Sequence, residues 1–341
     1  MTASTQKYAK DQPAGFTNRI ERVAIVGATG QVGSHMAEAL LSTGKHVVTA
    51  ITRSGSGSSS KMPKGIKMAE VDYEKQETLV EALQGQQFLI ISLSVQAPKE
   101  TQVAIANAAA KVGVPWVMPN CYGTDLTNKS LGQENLTGPG VWAGIEAIEQ
   151  AGVSSWVAMC CSFWYEFSLA MGPGWYGFDF EQKKVTFVDD GMTRINSSTW
   201  EQCGRAIKSL LSLKELPEDE SDKALTLSTW RNKPLYISSF LVSQRDMLDS
   251  VNRVMGTSDA DWIIEHEEHD ARYQRGLGLL QQGQHLGFGT CLYTRTFHRN
   301  GDGNFEAKYG LANSVLGLPI EEDLDEATKR GIAIVQSRSQ G

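Results

Sequence analysis

Val23-Ala24-Ile25-Val26-Gly27-Ala28-Thr29-Gly30-Gln31-Val32-Gly33 is the stretch on which the fold of this chain turns. Four consecutive apolar residues predict a buried strand. Val32, Met36, Ala39 and Leu40 then recur at helical spacing. A strand, a three-glycine turn and a helix in that order form a phosphate cradle. Gly27 permits the tight turn, Gly30 lets the backbone approach a pyrophosphate, and Gly33 lets the helix pack close to the strand. The unpaired N–H groups and positive dipole end of the helix then face the anion. Gly27, Thr29, Gly30, Gln31, Val32 and Gly33 are therefore the expected pyrophosphate contacts.

Working outward, apolar strand-like segments at 23–26, 47–51, 68–71, 88–93, 116–119 and 156–160 alternate with helical patterns at 31–42, 76–83, 100–112 and 141–150. Continuous apolar strands separated by helices imply an α/β, Rossmann-type doubly wound parallel sheet covered on both faces. Right-handed crossovers bring the loops at the strand carboxyl ends to one edge, where ligands bind. After Cys161 the alternation breaks. A hairpin is expected at 185–188 with Asp189-Asp190-Gly191 as its turn, an amphipathic helix near 199–211, a strand–helix pair at 235–255 and a helix after Pro319. The expected organisation is a flexible arm over 1–20, a dinucleotide domain over 21–162, and a smaller mixed substrate lobe over 163–341. Segments near 199–255 return from that lobe to the Rossmann core. The acidic loop 217–223 reads as simply solvated.

The 341 residues carry a net charge of −7, with 41% hydrophobic and 21% charged residues. That balance argues against a nucleic-acid surface. No apolar run approaches the ~20 residues of a membrane-spanning helix. The polar stretch 1–18 has no apolar core and reads as an arm rather than a signal peptide. Five cysteines without a Cys-x-x-Cys suggest neither a disulfide framework nor a zinc site, and point to a reduced, cytoplasmic compartment.

Candidate chemistry follows from the strand ends. Arg53 lies 26 residues after Gly27, where an NAD-selecting fold would place an acid. Its guanidinium fork, with Ser54 beside it, suits a 2′-phosphate, and Lys61 and Lys64 add positive charge. The expected cofactor is accordingly NADP(H) rather than NAD. Asp72 follows the third strand, either as an adenine contact or as a helix N-cap. Ser92 and Leu93 end the fourth strand and Asn120 the fifth, along the expected cofactor path.

Hydride-transferring reductases commonly pair a tyrosine with a lysine four residues on. None of the nine tyrosines here is so followed. Tyr122, with Lys129 on the same polar loop, is the catalytic candidate by position; a pocket wall or cofactor contact is its other reading. Phe163, Trp164 and Tyr165 follow a strand end and read either as core or as a flat apolar substrate wall. The run Glu265-His266-Glu267-Glu268-His269-Asp270 does not match His-Glu-x-x-His and reads as a solvated surface, so no metal is expected.

Val26 to Gly33, Arg53, Val71-Asp72, Val114-Pro115-Trp116-Val117-Met118-Pro119-Asn120, Gly123 and Asp125 resemble the NmrA-like and isoflavone-reductase-like group of atypical short-chain dehydrogenases. Phe187 to Gly191, Val242 to Leu248 and Leu316 to Pro319 are similar to its fungal branch. The resemblance implies a Rossmann domain with a small substrate lobe and bound NADP(H). In that group, isoflavone reductases act on aromatic phenylpropanoids with a lysine on the helix after strand five. NmrA itself is a regulator that binds the dinucleotide. Here the corresponding segment, Val141 to Glu149, contains no lysine. Three expectations follow: an NADPH-dependent oxidoreductase of secondary metabolism acting on a flat, mostly apolar small molecule; an NADP(H)-sensing regulator with a protein partner; or a redox-neutral isomerase or cyclase.

Overall fold

Alternation along the first strand sorts its side chains to two cores: Val23 and Ile25 face one, Ala24 and Val26 the other. The computed structural model describes residues 7–55, 57, 62–94, 97–320 and 322–339. In chain order it runs β1 (Arg22–Val26), α1 (Gln31–Leu41), β2 (Val47–Arg53), β3 (Lys67–Val71), α2 (Gln76–Leu83), β4 (Phe88–Ile91), α3 (Lys99–Lys111), β5 (Trp116–Met118), α4 (Lys129–Glu134), α5 (Gly138–Ala151) and β6 (Ser155–Cys160). There follow β7 (Phe163–Trp164), α6 (Tyr165–Ala170), β8 (Phe178–Asp179), β9 (Lys184–Val188), β10 (Ile195–Ser198), α7 (Trp200–Leu211), β11 (Lys233–Tyr236), β12 (Phe240–Val242) and α8 (Gln244–Met255). The chain ends with β13 (Ile263–Glu267), α9 (His269–Gln281), α10 (Leu286–Thr296), α11 (Phe305–Tyr309) and α12 (Leu324–Ser339).

Seven parallel strands form the main sheet in the order β11-β6-β5-β4-β1-β2-β3. One face packs on α1 and α7 through Met36, Leu40, Ile207 and Leu210; the other packs on α2, α3 and α5 through Leu79, Ile105 and Ile148. This is the doubly wound architecture expected from the strand–helix alternation. The segment past β6 supplies both α7 and the edge strand β11 to it. The remaining strands form two small sheets, β12-β10-β7 and β13-β9-β8, around an aromatic core that includes Phe163, Tyr165, Tyr176, Phe240 and Tyr293.

Two local expectations are corrected. The strand at 184–188 pairs antiparallel with β8 before it and parallel with β13, so Asp189-Asp190-Gly191 is not a hairpin turn. Asp189 sits at φ +53, and its carboxylate accepts the His269 N–H at 2.9 Å and pairs with Arg299 at 3.1 Å. Those contacts turn the chain out of the sheet. The N-terminal arm, within the described residues, is docked rather than free. Ala9 N–H donates to the Pro217 carbonyl at 2.8 Å, and Asn18 exchanges two bonds of 2.8 Å with the Leu216 backbone. The acidic loop that looked merely solvated is the surface receiving it.

The C-terminal helix is pinned by a buried carboxylate. Glu166 Oε1 accepts from Arg330 Nε at 3.1 Å and Nη2 at 2.9 Å, whereas Oε2 has no partner. Burial outweighs the arginine and pushes this carboxyl from the ordinary 4.5 up to about 7. The folded protein therefore keeps a proton that the unfolded chain releases above 4.5. Stability is expected to fall as pH rises from about 4.5 through about 7 and then to level, by at most about 3 kcal/mol. Glu166→Gln is expected to flatten this slope and to be the more stable protein at pH 8. Urea unfolding of both proteins between pH 5 and pH 8 checks it; parallel profiles would show that Glu166 does not titrate in that window.

Candidate functional site

The strand order reverses between β1 and β4, because β2 and β3 build out on one side and β5, β6 and β11 on the other. Loops leaving neighbouring strands at such a point diverge and open a crevice at their carboxyl ends. The glycine loop leaves β1 there. Gly27 has φ +82, and a Cβ on it would lie 1.9 Å from the Ser92 carbonyl oxygen at the end of β4. A Cβ on Gly33 would lie 2.1 Å from the Gly27 carbonyl oxygen. Two backbone segments thus meet where only hydrogen fits, and Gly30 N–H closes the turn on Gly27 O at 2.9 Å. Gly30 is the N-cap of α1; no side chain caps the helix and no acid lies in its first turn. A cradle closed to side chains and open to an anion fits a phosphate.

Arg53 closes β2 on the same edge and is exposed. Its guanidinium forms no hydrogen bond or ion pair among the described residues. Asp72, one residue beyond the Val71 that faces Arg53, is committed elsewhere: it pairs with Lys75 at 3.1 Å and accepts the Glu74 N–H at 3.1 Å. That geometry is a local turn ahead of α2; the N-cap of the helix is Lys75, so Asp72 is not the cap that the sequence offered as one reading. Ser54 is exposed and its N–H continues the ladder to Val71 O; Lys64 is exposed, and Lys61 lies outside the described residues.

Asn120 bridges the crevice wall. Its Oδ1 accepts from Leu93 N–H at 3.1 Å and its Nδ2 donates to Leu93 O at 3.2 Å, while its own N–H donates to Gln102 Oε1 at 3.0 Å. The exchange ties the chain after β5 to the loop after β4, and Pro119, which has no N–H, ends the β5 ladder. Ser92 N–H still reaches Val26 O at 2.9 Å. Gln102 escaped the sequence reading, since a polar residue on a helix carries no local signal for such a role.

Each catalytic candidate is engaged within the chain, and the two do not meet. The half-buried Tyr122 donates its hydroxyl to the Ile91 carbonyl at 3.0 Å, and burial pushes its phenol well above the usual value. The Tyr122 hydroxyl thus already has an acceptor at the end of β4. Lys129 extends over the Trp142 ring, with Nζ 4.0 Å from its centre, and forms no contact with Tyr122 among the described residues. The aromatic trio divides. Phe163 is buried and stacks on Tyr293 with ring centres 3.8 Å apart, and Tyr165 is fully buried and bonded to Thr328, so both belong to the lobe core. Trp164 is half-buried, its ring 6.5 Å from that of Tyr122 and 6.3 Å from that of Phe167, and it packs with Tyr122 against the core on the α1–α7 face.

Between β6 and β7 stands Ser162, which sequence reasoning passed over. It is 1% exposed, has φ +55, and its hydroxyl has no partner. Its N–H donates to Gly123 O at 2.8 Å, beside Tyr122. Among the described residues, no group of three or more His, Cys, Asp or Glu side chains is placed to hold a metal ion, and no helix is long and apolar enough to cross a membrane. All five cysteines are buried with free thiols.

Comparison with known proteins bears out the resemblance drawn from the residues. The model of the NmrA-like family matches residues 20–154. The oxidoreductase aprR of Aspergillus flavus is 27% identical over 310 residues, spanning 89% of this chain and 96% of its own. Among solved structures, an isoflavone reductase matches with a TM-score of 0.69 at 18% identity, covering 91% of this chain and 99% of its own. The leucoanthocyanidin reductase–NADPH complex from Vitis vinifera matches with a TM-score of 0.72 at 14% identity, covering 92% and 99%.

Proposed function

We propose that this chain is an NADPH-dependent oxidoreductase acting on a flat, mostly apolar small molecule. The observation that carries the reading is the side-chain-free cradle at the switch point, with the uncommitted Arg53 on the same edge. The near-full-length likeness to a protein named as an oxidoreductase supports the activity, and the likeness to a reductase solved with NADPH supports the cofactor. Backbone N–H groups of Gln31, Val32 and Gly33 hold the pyrophosphate, with Thr29 and Gly30 shaping the turn. Arg53 and Ser54 take the 2′-phosphate, and Ser92, Leu93 and Asn120 line the path toward the nicotinamide. The bound dinucleotide supplies hydride. Trp164 and Tyr122 provide an apolar wall for the substrate, and water supplies the proton that Tyr122 withholds.

A second reading, an NADP(H)-sensing regulator, is favoured by two features: α5 contains no lysine, and the Tyr122 proton is tied to the sheet. Calorimetric titration with NADPH, NADP⁺ and NADH, followed by NADPH absorbance with a panel of ketones, enones and quinones, separates the two. Binding of NADPH at least ~10-fold tighter than NADH, with oxidation by some panel member, is expected for the enzyme. The same preference without any oxidation selects the regulator. No nucleotide binding at all would remove both.

A further inference from the structure

Gln102 is a buried amide to which the proposed chemistry gives no part. It lies one turn into α3, is 7% exposed, and its Oε1 accepts the Asn120 N–H at 3.0 Å. Its other end is seated on α5. A Cβ on Gly144 would lie 1.3 Å from Gln102 Nε2, so the amide occupies the room that a side chain there would need. Glycine is unfavourable in the middle of a helix, and α5 carries this one where Gln102 reaches it.

The seat fixes more than one bond. Asn120, held at its N–H, exchanges side-chain bonds of 3.1 and 3.2 Å with the Leu93 backbone. Gly144, Gln102, Asn120 and Leu93 thus join α5, α3 and the loops after β5 and β4 into one chain of contacts. Asn120 and Leu93 are half-buried at the rim of the crevice, and the amide behind them is buried. Strand order decides which part of a dinucleotide meets that rim. The cradle is on β1, and Arg53 at the end of β2 draws the 2′-phosphate, and with it the adenosine half, to one side. On the other side stand β4 and β5, one and two strand spacings from β1, about 5 and 10 Å. That side is left to the nicotinamide half. We infer that Gln102, seated by Gly144, is a positioning residue for the nicotinamide half of the dinucleotide, acting through Asn120 and Leu93. This rests on the dinucleotide site proposed above and holds for enzyme and regulator alike. A rim held from behind keeps its groups in the geometry that binding needs.

The test titrates NADPH and adenosine 2′,5′-bisphosphate, which lacks the nicotinamide half, into full-length wild type, Gln102→Met and Gly144→Ala. Wild type is expected to bind NADPH at least ~10-fold tighter than the bisphosphate. Gln102→Met keeps the length of the side chain and removes the acceptor. Gly144→Ala leaves Gln102 intact and takes its seat; the atom displaced is the end of a flexible side chain, so α5 keeps its place. Each is expected to weaken NADPH binding about 3- to 10-fold, the loss of one buried hydrogen bond, and to leave the bisphosphate unchanged. The double variant is expected to bind no more weakly than Gln102→Met, because both changes empty the same seat. Equal weakening of both ligands, unaltered NADPH binding in either variant, or losses that multiply in the double variant overturns the inference. Equal affinity of wild type for the two ligands also overturns it and leaves the cradle and Arg53 standing. Wild type that binds neither ligand overturns the dinucleotide site itself.

Discussion

Arg53→Ala is expected to lower NADPH affinity about 10- to 100-fold and leave NADH affinity unchanged, so that the preference for NADPH nearly disappears. The magnitude is that of one charge-assisted, bidentate contact to a phosphate at a solvent-facing edge. It is not offset by loss of a structural bond, because the guanidinium makes none among the described residues and Asp72 is already paired with Lys75. Arg53→Lys is expected to recover only part of the loss, since an ammonium cannot grip two phosphate oxygens with a planar fork. Parallel titrations with NADPH and NADH measure the ratio. An unchanged ratio would place the 2′-phosphate elsewhere.

Gly27→Ala is expected to destabilise the protein by about 2–5 kcal/mol and to abolish dinucleotide binding. Alanine at φ +82 carries the left-handed penalty, and its Cβ would fall 1.9 Å from the Ser92 carbonyl oxygen, a backbone atom that cannot swing aside. The β1 and β4 ends would have to separate, opening the crevice where the phosphate is to lie. Gly44→Ala is the control: its φ is +64, but a Cβ there meets nothing within 4 Å. It is expected to cost about 1 kcal/mol and to bind NADPH normally. Urea unfolding and NADPH titration of both variants compare the conformational penalty with the overlap. Equal stability losses would mean that the close approach of Gly27 to Ser92 is unimportant.

The glycine turn and the place of Arg53 at a strand end were legible because their determinants are local. Gly27 to Gly33 state their own turn, and Arg53 follows from the length of one β-α-β unit. The surroundings of the aromatic residues past β6 were not. Phe163, Trp164 and Tyr165 look alike in sequence, yet two enter the lobe core and one packs with Tyr122 against the core of the main sheet. Their fates depend on Tyr293 and Thr328, more than 120 residues away. Tyr122 was well placed along the chain, but the direction of its hydroxyl was decided by the Ile91 carbonyl on the neighbouring strand. Ser162 bears no motif; only the Ser198 and Ser197 hydroxyls, donating to the carbonyls of Cys161 and Phe163 on either side, make it unusual.

By itself the sequence determined a doubly wound parallel sheet and a phosphate-sized turn after its first strand. Strand period, helix period and the steric freedom of glycine act within a few residues. The tertiary structure decided which aromatic residues face solvent or core, which protons are already held, and where the N-terminal arm rests. Each of these depends on what a distant part of the chain places opposite a side chain. No local period encodes that partner.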